Sequence, residues 1–103
     1  MVNKDSSEWE IIEKKALDIL ELCQGCLSHD TIKFVKEYLG HAEYEMAIEG
    51  LFIDIMQLPT VPDALESKMC IDLAKSVGLD KEVVYLPDFW TKLLNFCHEK
   101  LKT

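Results

Sequence analysis

The sequence predicts an all-α fold, a compact bundle of about five helices packed around a central one at about residues 42–57. Three observations lead there. Every apolar pattern long enough to judge repeats at roughly 3.6 residues, the helical period. Most of these stretches are bounded by Ser, Asp, Pro or Gly in the positions where helices start and stop. The stretch from His41 to Leu58, HAEYEMAIEGLFIDIMQL, is apolar on two opposite sides.

In that stretch Tyr44, Ala47, Ile48, Leu51, Phe52 and Ile55 share one wide helical face, and Met46, Gly50, Ile53 and Met56 share the other. Charge is left only in two narrow seams, Glu43 with Asp54 and Glu45 with Glu49. A helix with water excluded from both faces sits between other helices. Gly50 costs about 1 kcal/mol relative to Ala inside a helix, so another backbone is expected to approach closely there.

The remaining elements follow in order. Residues 1–5 are expected to fray; Ser7 with Glu10 then reads as a capping box that opens the first helix. Trp9, Ile12, Ala16, Ile19, Leu20 and Cys23 form its apolar face, and Gly25 supplies a left-handed stop. Ser28 caps a shorter second helix with Ile32, Val35 and Leu39 inward and Phe34 and Tyr38 beside them, and Gly40 ends it in the same way. Between Leu58 and Asp63, LPTVPD breaks the chain, with Pro62 suited to the first turn of a fourth helix carrying Leu65, Met69, Leu73 and Val77. Gly78 with Leu79 reads as a Schellman stop. The segment Lys81 to Leu86, KEVVYL, favours strand by composition but has no partner strand, and a short helix is expected. Phe89, Trp90, Leu93, Leu94, Cys97 and Leu101 mark the last helix.

The chain of 103 residues suits one domain, 1–103, with 49% hydrophobic residues for a core and no apolar run of the length a membrane span needs. The start, MVNKDSSEWE, has no apolar leader region, so a cytoplasmic protein with reduced cysteines is expected. Its net charge is −8, and all 11 bases are Lys. An acidic surface repels phosphate backbones and steers basic proteins inward, so no nucleic-acid or membrane partner is expected. From Glu37 to Glu66 there are seven acids and no Lys. The plain reading of such a run is a solvated face; the functional one is a binding surface at Glu43, Glu45, Glu49, Asp54, Asp63 and Glu66.

Cys23 and Cys26 followed by His29 have the spacing C-x-x-C-x-x-H, two thiolates and an imidazole that could meet at zinc. The possible fourth ligands, Cys70, Cys97 and His98, stand alone on other helices, and ordinary packing is the better reading. His29, His41 and His98 each lie near a helix end with no nucleophile or glycine-rich motif beside them. No catalytic residue, cofactor or resident metal is expected.

The stretch LSHDTIKFVKEYLGHAEYEMAIEGLFIDI resembles the small bacterial immunity proteins of contact-dependent growth inhibition and MafI-like systems. The elements that carry the resemblance are Leu27-Ser28, the short helix Ile32 to Leu39, the corner Gly40 to Tyr44 and the run Ala47 to Leu51; SKMCIDLAKSVGLDKEVV looks like a later helix of the same family. The family's corner often reads Gly-Glu-Tyr, where this chain has Ala42 inside His41-Ala42-Glu43-Tyr44. The resemblance implies a non-enzymatic protein that binds one cognate toxin domain, one to one. A basic nuclease, above all a ribonuclease, fits the acidic middle segment. The rival readings are an acidic helical adaptor or regulatory module and a zinc- or redox-dependent enzyme.

Overall fold

The computed structural model describes residues 4–101. Its five helices are α1 (Ser6–Cys23), α2 (His29–Gly40), α3 (Tyr44–Ile55), α4 (Ser67–Ser76) and α5 (Phe89–Lys100). The expected central helix is α3, which touches each of the other four. Ala47, Ile48, Leu51, Phe52 and Ile55 along it are fully buried. Trp9 of α1 stacks on Tyr44 at its start, with ring centroids 4.6 Å apart. No helix among the described residues is long and apolar enough to cross a membrane.

Helix ends show where local signals compete. Of residues 1–5, expected to fray, 1–3 lie outside the described residues, while Lys4 and Asp5 make defined contacts: Lys4 Nζ lies 3.7 Å from Glu8, and Asp5 is the N-cap of α1. The Asp5 carboxylate accepts from the Glu8 amide at 2.9 Å and the Ser7 hydroxyl at 2.8 Å, displacing the expected Ser7–Glu10 box because an ionised oxygen is the stronger acceptor. Those two hydrogen bonds, the amide's first, hold the Asp5 carboxyl below its ordinary value. Ser28 caps α2 as expected, accepting from the Thr31 amide at 3.2 Å.

Gly25 and Gly40 are not the left-handed stops expected of them. After α1 the chain closes by amides of Cys26 and Leu27 donating to the Cys23 carbonyl. After α2 the left-handed residue is Ala42, at φ 58°. The Ala42 amide donates to Leu39 O at 3.1 Å and the Glu43 amide to Tyr38 O at 2.9 Å, a Schellman arrangement with alanine where glycine is the usual choice. Gly78, at φ 80°, closes α4 in the expected way, the Leu79 amide donating to Ala74 O at 3.0 Å and its side chain buried.

Two further expectations are corrected. Helix α4 starts at Ser67, not in the turn after Pro62, and the buried Ser67 hydroxyl ties that start to α5 by donating to Cys97 O at 3.0 Å. What approaches Gly50 is the Phe34 ring, not a backbone; a Cβ there would collide with Phe34 Cε1.

Candidate protein-binding surface

The segment Lys81 to Leu86 is not helical. Its amides turn toward α3, where both carboxylate oxygens of Glu49 are used. Val84 N donates to Oε1 at 2.6 Å, while Tyr85 N and Leu86 N donate to Oε2 at 3.0 and 2.8 Å. Consecutive amides converging in this way form a cradle for an anion, and here the protein supplies the anion itself. A helical turn would have directed those amides at carbonyls within the segment. Once Glu49 takes them, the short helix is lost.

Glu49 is therefore withdrawn from the binding residues expected from sequence, since it is 0% exposed and its charge is spent inside the protein. Asp54 is half-buried and accepts from the Thr31 hydroxyl at 2.6 Å, joining α3 to the first turn of α2. Glu43, Glu45, Asp63 and Glu66 are exposed. Among the described residues none of these four is in an ion pair, a state they share with the exposed Glu10, Glu21, Asp30, Glu82 and Glu99, whereas Asp18, Glu37 and Asp72 each have a lysine four residues before them.

The exposed acids do not form one patch. Glu45 lines a cleft of about 440 Å³ with Lys75, Gly78 and Lys81, and Glu66 borders another of about 240 Å³ with Lys15, Ile19 and Met69. Asp63 lies on the connection between α3 and α4, and Glu43 immediately precedes α3. Two unpaired acids adjoin at the start of α3: Glu43 at its N-cap and Glu45 in its first turn. The positive end of the helix dipole favours a carboxylate there by about 0.3–1 kcal/mol.

Beside Glu43 stands an aromatic group made of Phe34 and Tyr38, expected only to flank the inward face of α2, and Tyr85 of the KEVVYL segment. Phe34 stacks on Tyr38 with centroids 4.4 Å apart and meets Tyr85 at 6.3 Å. Val84 and Tyr85 are 53% and 44% exposed. The Tyr85 phenol is raised above its ordinary value, first by burial, then by the neighbouring Tyr38 phenol and by the Glu49 and Glu43 carboxylates. The available signal was Val84-Tyr85 itself: two bulky side chains in a turn-flanked segment with no strand to join.

The remaining candidates are dispersed. Cys23 is buried, while Cys26 and His29 are exposed. Among the described residues no three His, Cys, Asp or Glu side chains are arranged to hold a metal ion. Burial, with Cys26 nearby, pushes the Cys23 thiol up to about 11. His41 and His98 are exposed at the ends of α2 and α5.

Fold and surface together define a small all-helical bundle with acids and aromatics around the start of its central helix. Comparison with family models, with curated proteins and with solved structures gives no significant match.

Proposed function

We propose that this protein is an immunity protein: it binds a basic toxin domain of the contact-dependent growth inhibition kind, one to one, and neutralises it by covering its substrate-binding surface. The observation that carries this reading is the unpaired pair Glu43 and Glu45, exposed at the start of α3 within a run of seven acids that contains no lysine. A toxin that holds a polyanion must present Lys and Arg, and those cations meet carboxylates that, among the described residues, are held in no ion pair of their own. Inhibition then needs no chemistry from the inhibitor. Occupying the cationic groove is sufficient.

The test is co-expression with the toxin domain encoded beside this gene, followed by calorimetry on the purified pair. Rescue of growth and a one-to-one complex are expected, with association slowing as salt rises. Glu43→Lys and Glu45→Lys should weaken binding without unfolding the bundle. A complex indifferent to salt and to both reversals would refute the acidic reading. Rescue absent altogether would favour an adaptor.

A further inference from the structure

We infer that Phe34, Tyr38, Val84 and Tyr85 form the energetic centre of the partner interface, shaped to receive an Arg or Lys side chain of a basic protein at the edge of Glu43. This deepens the inhibitor reading and rests on it.

The surface is pre-arranged. A buried carboxylate is costly unless fully hydrogen-bonded. Glu49 meets that condition by fixing the amides of Val84, Tyr85 and Leu86. Leu86 packs against the core, but the other two residues held, Val84 and Tyr85, keep their side chains exposed to water. Gly50 adds to the arrangement, since only a residue without Cβ lets the Phe34 ring lie against α3. The ring then supports Tyr38 and Tyr85 from below. Ordering aromatic side chains before binding removes an entropy cost from the binding step.

Charge selects the occupant. Glu43 adjoins the rings: its amide donates to Tyr38 O at 2.9 Å, and its exposed carboxylate is close enough to act on the Tyr85 phenol. Aromatic faces attract guanidinium and ammonium groups, and a carboxylate at the edge completes a seat for either. Among the described residues, the other well-exposed apolar side chains, Ile11, Leu17 and Leu94, stand singly on α1 and α5. Interface energy concentrates in Tyr, Trp and Arg contacts at a desolvated centre, which these rings can supply and the scattered acids cannot.

The experiment measures binding of the toxin domain encoded beside the gene to the full chain and to Tyr85→Ala, Val84→Ser, Glu43→Gln and Leu94→Ser, with thermal unfolding of each as a check on folding. Tyr85→Ala is expected to weaken binding roughly thirtyfold through faster dissociation, and Val84→Ser roughly tenfold. Glu43→Gln should mainly slow association, and Leu94→Ser should stay within about twofold. If the parent chain binds but Tyr85→Ala and Val84→Ser bind as it does, the aromatic centre is refuted while the inhibitor reading survives. If the parent chain does not bind, both fall. A parent chain that dimerises through Tyr85 in sedimentation runs would overturn the inference by assigning the patch to a second copy.

Discussion

Removing the Glu49 carboxylate is the sharpest perturbation of this protein. Glu49→Gln keeps size and shape but replaces one acceptor oxygen with a donor. The amide oxygen is best placed on the Oε2 side, where it retains Tyr85 and Leu86 at 3.0 and 2.8 Å; the new NH2 group then faces the Val84 amide, donor against donor. Hydrogen bonds to a charged group contribute about 1.5–3 kcal/mol each, and an unsatisfied donor costs about 1–3 kcal/mol. The loop is at the surface and can turn the orphaned amide to water, so the lower half of these ranges applies, and about 2–3 kcal/mol of lost stability is expected. Glu49→Ala strands all three amides beside a cavity and should cost about 3–5 kcal/mol, a large part of the roughly 5–15 kcal/mol that holds a domain of this kind. Urea unfolding gives the totals. Amide exchange locates them, because protection at Val84, Tyr85 and Leu86 should fall far more than protection in α3. Glu49→Gln within about 0.5 kcal/mol of the parent, with those three amides still protected, would refute the claim that this carboxylate shapes the loop.

Other changes bear on other parts of the chain. Ala42→Gly relieves a left-handed alanine that costs about 1–2 kcal/mol and adds unfolded-state entropy, so a net gain of about 0.5–1 kcal/mol in urea unfolding is expected. Gly50→Ala improves helix propensity but drives a Cβ into Phe34, and a loss of about 1–2 kcal/mol is expected, reduced in the double change with Phe34→Leu. The Cys23 thiol, at about 11 in the fold against 9.0 free, holds a proton that the unfolded chain gives up first. Its contribution to stability is complete below pH 9 and is lost as pH rises through about 11, and Cys23→Ala should flatten that part of the alkaline unfolding profile. In native thiol titration at pH 8, Cys26 should react quickly and the buried Cys23, Cys70 and Cys97 only on unfolding.

What was legible in the sequence was whatever depends on neighbours a few residues away. The apolar period located five helices, two-sided burial identified α3 as central, and Ser28 and Gly78 marked their helix ends. What failed depended on distant partners. KEVVYL loses its helix to a carboxylate 35 to 37 residues earlier in the chain, which no local preference registers. Glu45 and Glu49 lie one turn apart in the same seam, yet one is exposed and the other is sealed in, because only Glu49 has a loop laid across it. The binding surface was half legible for the same reason. Acids announce themselves by composition, whereas Phe34, Tyr38 and Tyr85 become a patch only when α2 and the loop before α5 meet.

The cradle around Glu49 also fixes chain length in a place where length is usually free. Surface loops tolerate added residues because each doubling in length costs only about 0.6 kcal/mol of closure entropy. That tolerance fits the connection between α3 and α4, where Pro59, Thr60 and Asp63 are exposed. It does not extend to the run from Asp80 to Pro87. One residue inserted before Val84 would present the wrong three amides to the carboxylate and turn Val84 and Tyr85 away from Phe34. This exposed loop is bound by the same strictness as the buried helix beneath it, so related chains should vary here in side chains while keeping the number of residues.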